Sequence, residues 1–241
     1  METIKLTNIY GDSAVVNAAG GFVESLLLED GREVLFPRQH VGEKDRGGIP
    51  VCAPIFGPGE LAGLAQHGFA RNCQWQIESE NQDEVKLTLV NPASQVKNLP
   101  SAYAGCVIEL TVQLDDERLF ETLLVKNEGD EPFACTPGFH PYFKTSDAEK
   151  VKVAGSVFAT DKLLAAQKLS EPTSRLDFTL AATEISLATN TPAWYVVWSA
   201  DPNRYICVEP TTHGFVTESN LAEAMLAPGE TRTFRLELGW K

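Results

Sequence analysis

Strict alternation of apolar and polar residues constrains this chain most. From Cys106 to Asp115, the residues Cys106, Ile108, Leu110, Val112 and Leu114 fall on one side of an extended backbone. Val107, Glu109, Thr111, Gln113 and Asp115 fall on the other. A period of two marks a strand with one buried face. Phe234, Leu236, Leu238 and Trp240 alternate with Thr233, Arg235, Glu237 and Gly239 in the same way. Further strands are expected at 13–17, 22–28, 32–36, 74–80, 84–90, 118–126, 133–139, 150–154, 184–188, 194–199 and 204–209. Turn chemistry separates many of them, including Asp30-Gly31, Asp115-Asp116 and Pro228-Gly229. A helix is expected only at 219–226, with Ser219 as its cap. The stretch 159–183 reads as the least regular. Strands without βαβ alternation predict an all-β fold, a large antiparallel β-sandwich, with residues 1–241 as one domain.

The totals narrow the function. Twenty Lys and Arg against 33 Asp and Glu leave a net charge of −13. That opposes a nucleic-acid surface, which needs clustered cations, but two or three local arginines still suffice for a small anion. No apolar run approaches the ~20 residues of a spanning helix, and METIKLTNIY lacks the pattern of a signal peptide. The expectation is a cytoplasmic protein with no membrane partner. Five scattered cysteines (52, 73, 106, 135, 207) contain no C-x-x-C pair and read as buried reduced thiols rather than a disulfide framework or zinc site.

The segment 46–72 cannot be a long helix, because Pro50, Pro54 and Pro58 recur every four residues. It instead runs irregularly and presents Arg46, Gln66, His67 and Arg71. Arginines at its two ends in an acidic chain favour anion or hydroxyl recognition. His140 lies in PGFHPYF, where prolines, a glycine and aromatic rings hold a group titrating near neutrality on a rigid turn, the requirement for a general acid. Glu209 ends the apolar run YICVE before Pro210. Partial burial there would raise its pKa towards that of a useful base, although a solvated rim carboxylate fits equally well. His40 and His213 read as structural or exposed. His67, His140 and Glu209 have no H-x-H or H-x-x-x-H pairing that would suggest a metal. No G-x-S-x-G elbow or phosphate-binding glycine loop is present. Trp75, Trp194, Trp198, Phe56 and Tyr142 could be core or a sugar platform.

Four islands together resemble the aldose 1-epimerase (mutarotase) superfamily, and within it the glucose-6-phosphate 1-epimerase branch. They are RGGIPVCAPIFGP at 46–58, QHGFARN at 66–72, FHPYF at 139–143 and ICVEP at 206–210. LFETLLVKNEG at 119–129 resembles a flanking strand of the family. The resemblance implies a galactose mutarotase-like supersandwich with a sugar cleft on one sheet and no cofactor or metal. It implies an isomerase interconverting the α and β anomers of an aldohexose, a hexose 6-phosphate in this branch. Glu209 would be the base and His140 the acid. Arg46, Gln66, His67 and Arg71 would bind substrate, and Asp161 in FATDKLL would be a further substrate-binding carboxylate, with Asp201 as the poorer candidate. The chain departs from the family in Pro141, where threonine is usual, and in CAPIFG, where CFPQFG is more typical. The expected partner is a sugar or sugar phosphate, and the expected state a monomer or weak dimer. The alternatives are an epimerase of unphosphorylated sugars, a non-catalytic carbohydrate-binding β-sandwich, or a metabolite-sensing regulator on the same fold.

Overall fold

The computed structural model describes residues 2–41, 44–147, 151–180 and 183–241. Its labelled strands are β1 (Thr3–Thr7), β2 (Ser13–Asn17), β3 (Phe22–Leu27), β4 (Val51–Cys52), β5 (Gln76–Glu80), β6 (Glu84–Leu89) and β7 (Cys106–Asp115). They continue with β8 (Arg118–Asn127), β9 (Gly138–Phe139), β10 (Tyr142–Lys144), β11 (Thr173–Leu180), β12 (Thr183–Trp198), β13 (Tyr205–Thr211) and β14 (Thr231–Trp240). The fold is all-β and antiparallel, a sandwich as expected. Neighbours in the main sheet run β11-β12-β14-β8-β7-β6-β5. The strongest alternation in the sequence lies at its centre: Ile108 opposes Val125, Leu110 opposes Leu123, and Leu123 opposes Phe234. These side chains are fully buried. The sheet β1-β2-β3 packs Leu6, Ala14 and Val16 into the same core.

β12 creates the second layer of the site. Its first part, through Thr189, pairs with β14, whereas Trp194 to Trp198 pair with β13. β13 in turn pairs with β9 and β10, and β9 pairs with β4. One long strand thus carries the chain from the main sheet into a small sheet that displays 138–144 and 205–211 together.

Several expectations need correction. β12 is one strand where 184–188 and 194–199 were expected separately, because Asn190 and Pro192 lie in its exposed stretch without ending it. The stretch 159–183 contains β11, which buries Leu176, Phe178 and Leu180 and exposes Arg175, Asp177 and Thr179. The expected helix at 219–226 shrinks to Leu221–Ala224, with Asn220 rather than Ser219 at its N-cap. Met225–Leu226 are drawn into a ladder with Phe133–Ala134, whose backbone groups need partners. The run 32–36 gives only isolated bridges, Leu27 with Glu33 and Leu35 with Phe143. Of 150–154, residue 150 lies outside the described residues, and Lys152–Val153 is a short strand. All five cysteines are buried and unpaired, as expected. Among the described residues no helix is long and apolar enough to cross a membrane.

Candidate active site

β13 is buried along its whole length, and its alternation sorts its side chains by face. Ile206 and Val208 enter the main core, while Tyr205 and Cys207 join a separate cluster with Phe36 and Tyr142. Glu209 continues that second face and reaches the cleft. His140 follows β9 directly. Its N–H donates to the Pro50 carbonyl at 3.0 Å, and two residues later the Tyr142 N–H donates to the Gly48 carbonyl at 2.9 Å. Pro141 between them has no N–H to satisfy. The approach is close enough to demand glycine at 138, because a Cβ there would lie 2.8 Å from both the Phe56 ring and the Pro210 carbonyl.

His140 Nε2 stands 3.5 Å from Glu209 Oε1, and both side chains are more than nine-tenths buried. The imidazole stacks on Tyr142 at 4.8 Å and meets the edge of Trp198 at 5.9 Å. Burial raises the Glu209 carboxyl well above the usual carboxylate range, against the pull of Arg71. Burial also holds His140 well below an ordinary imidazole, with His67, Arg71 and Arg46 acting in the same direction. Both shifts favour the uncharged forms, a Glu209 carboxyl that keeps its proton beside a neutral imidazole. Transferring that proton to His140 gives a carboxylate and an imidazolium without changing the pair's charge. The two states are a base and an acid in waiting.

His67 lines the cleft beside the pair. The Gly57 N–H donates to its Nδ1 at 3.0 Å, which places the ring proton on Nε2. Burial and Arg71 hold its pKa down to about 3, so it is a neutral hydrogen-bond donor. Its ring meets His140 edge-on at 5.4 Å and Phe56 at 5.0 Å.

A cleft of about 590 Å³ holds this constellation, with Arg46, Gln66, His67, Arg71, His140 and Glu209 all in its lining. The Arg46 guanidinium lies 4.9 Å from the Trp198 ring centre, and Arg71 Nη2 donates to the Gln66 carbonyl at 3.0 Å. Among the described residues neither arginine has a carboxylate within ion-pairing distance, whereas nearby Arg38 is occupied by Glu24 and Asp45. Asp161 is not brought to the site. It is exposed in the short helix Thr160–Leu163, outside the cleft lining. Asp201 lies away from the cleft too, 3.9 Å from Arg204. The aspartate that does line it is Asp45, on a hairpin pairing Gln39–Val41 with Lys44–Arg46. The charged run Lys44-Asp45-Arg46 was its only sequence signal. His40 is exposed and sits 3.1 Å from Asp45, and His213 bonds Thr212 at 2.9 Å. Cys207, expected only as a buried thiol, stands beside the pair: its sulfur, a His140 ring nitrogen and a Glu209 oxygen lie within 4.8 Å of one another.

The aldose 1-epimerase family model matches residues 2–179. The chain belongs to that family. Among curated relatives, a Salmonella typhimurium protein named "Putative glucose-6-phosphate 1-epimerase" is 35% identical over 114 residues, covering 46% of this chain and 36% of that protein. One of the same name from Cenchrus ciliaris is 29% identical over 203 residues, covering 78% and 61% respectively. The chain thus spans less than two thirds of the length of these relatives. A galactose mutarotase related enzyme from Lactobacillus acidophilus has the same fold, with a TM-score of 0.79 at 17% identity, covering 100% of this chain and 97% of that one. The Slr1438 protein of Synechocystis superposes with a TM-score of 0.77 at 21% identity, covering 100% and 96%.

Proposed function

We propose that this chain interconverts the α and β anomers of an aldohexose, preferentially as the 6-phosphate, using Glu209 and His140 alone as base and acid. The observation that carries the reading is the buried pair 3.5 Å apart in the lining of a cleft that also presents two arginines with no carboxylate partner among the described residues. Sugar hydroxyls entering the cleft hydrogen-bond to the ionised pair better than to the neutral one, drawing the proton from Glu209 to His140. Glu209 then removes the C1 hydroxyl proton while His140 donates to the ring oxygen. The C1–O5 bond breaks, a C1 carbonyl forms, and rotation about C1–C2 exposes its other face. Reclosure runs with the roles reversed, so protons balance over the cycle. His67 offers its Nε2–H as a neutral donor, and Gln66 supplies a further amide. Arg46 and Arg71 hold the phosphate, with bidentate geometry available to each.

Two-dimensional NMR exchange on glucose 6-phosphate and glucose tests the reading. Glu209→Gln and His140→Asn should each slow anomer exchange by roughly 10²–10⁴-fold, with melting curves like the wild type. Near-wild-type exchange in either folded variant refutes the assignment. For the phosphate, Arg71→Ala should raise KM for glucose 6-phosphate far more than for glucose. An equal rise for both sugars removes the phosphate from the proposal.

A further inference from the structure

Cys207 has no part in the proton transfers above, yet it occupies the same face of β13 as Glu209, two residues away. A packed apolar thiol is its ordinary reading, and Phe36, Tyr142 and Tyr205 around it fit that. The placement of its sulfur adds something. Thiol, imidazole nitrogen and carboxylate oxygen converge within 4.8 Å, all three residues buried. The His140 nitrogen that faces Glu209 is Nε2, 3.5 Å from Oε1. Three different side chains converging from β13 and from the connection between β9 and β10 make a mixed sulfur, nitrogen and oxygen set.

We propose that this trio is a binding site for a borderline-soft divalent cation, zinc above all, occupied in place of substrate. Zinc takes thiolate at ~2.3 Å, imidazole at ~2.0–2.1 Å and carboxylate at ~2.0–2.2 Å in tetrahedral geometry. Ligand atoms in such a site stand roughly 3.3–3.8 Å apart. The Glu209 and His140 atoms are at that separation already, and the widest pair closes by about 1 Å through side-chain rotation. Three protein ligands leave a fourth position, and His140 and Glu209 open it onto the cleft. Magnesium and calcium are excluded by the thiol and by the single carboxylate, since both cations demand oxygen sets. Binding displaces the thiol proton and the proton shared by Glu209 and His140, and both leave to solvent. A metal held there ties up base and acid together. Zinc therefore blocks anomer exchange, and this last step rests on the proposed function, whereas the metal site itself does not.

Cobalt(II) as a spectroscopic probe and calorimetry with zinc test the site in the full chain. The wild type should bind one equivalent of zinc, and its cobalt form should show the thiolate-to-cobalt charge-transfer band. Cys207→Ser should lose that band and weaken zinc by at least roughly tenfold, while Cys52→Ser should keep both. Glu209→Gln should weaken zinc likewise, and it decides the matter should the serine variant fail to fold. Absence of zinc binding at micromolar concentration overturns the site, as does equal affinity in the wild type and the folded variants. Zinc binding through Cys207 in a protein without anomer exchange would sustain the metal site while refuting the epimerase reading.

Discussion

Glu121 is the most exposed weakness of this fold in energetic terms, although it is wholly buried. It sits on β8 between Leu119 and Leu123, facing the core, with Val112 and Leu236 as cross-strand neighbours. Both carboxyl oxygens lack a hydrogen-bond partner among the described residues. Burial pushes its pKa well above the ordinary carboxylate value. Folding therefore favours the protonated form of a group that ionises near pH 4.3 in the unfolded chain. At about 1.36 kcal/mol per pH unit, that costs up to about 3.7 kcal/mol at pH 7. The sign follows from the raised value: stability is greatest below the unfolded pKa and falls as pH rises towards the folded one. Glu121→Leu removes the penalty and fills the same space with apolar atoms. We expect the variant to be about 3 kcal/mol more stable at pH 7, a rise of about 6–12 °C in melting temperature for a chain of this size. The advantage should shrink by up to about 2.7 kcal/mol when both proteins are unfolded in urea at pH 5. Glu209 titrates identically in both proteins and cancels from the difference. An advantage that is the same at both pH values, or a leucine variant less stable than the wild type, would show that Glu121 is ionised and partnered, and would refute the reasoning.

Three other outcomes are expected. Gly57→Ala places a Cβ 2.3 Å from the Phe215 ring at a φ of +84°, which shifts the N–H that fixes the His67 tautomer; activity should fall several-fold with little change in the pH profile, and an unaffected rate would remove His67 from substrate contact. The profile of kcat/KM should be a broad plateau across neutrality, because His140 gains a second proton only below the ordinary imidazole range and Glu209 loses the shared one only above the ordinary carboxylate range. A single inflection near pH 6.5 would contradict the neutral pair. Arg46→Gln should raise KM for glucose 6-phosphate, measured by initial rates, while leaving kcat for unphosphorylated glucose undiminished; a kcat for glucose that falls in proportion would make Arg46 a catalytic group and not a phosphate ligand.

Legibility in the sequence tracked how local the governing physics was. Strands β7, β8 and β14 could be read because one face of each is buried over most of its length, so period two survives there. β12 could not, because it changes partners half-way and its exposed middle, from Asn190 to Pro192, mimics a turn. Met225 and Leu226 looked helical because their neighbours Leu221 and Ala222 are good helix formers, but the bridge to Phe133–Ala134 outweighed propensity. His140 and Glu209 could be singled out because each stands directly before a proline, although β13 runs on through Pro210 to Thr211. The failure of Asp161 has the opposite cause: FATDKLL carries no local feature that fixes its distance from a cleft built of other strands. Asp45 reaches the cleft on a hairpin that the charged run Lys44-Asp45-Arg46 does not announce, and Cys207, two residues from Glu209, meets His140 only through the pairing of β13 with β10.

The charges around the pair are not symmetric, and the asymmetry bears on why a phosphorylated sugar would be the better substrate. Arg71 acts on both members: it favours ionised Glu209 and disfavours protonated His140. For the proton's transfer between them those two influences oppose, so neutralising Arg71 changes little. Arg46 also acts against protonated His140. A phosphate dianion on Arg46 therefore relieves that opposition and lets the imidazolium form more readily. On the proposed reading the 6-phosphate is more than a handle for binding. By occupying the guanidinium stacked on Trp198, it helps move the proton to the group that must donate it, a contribution that free glucose cannot make.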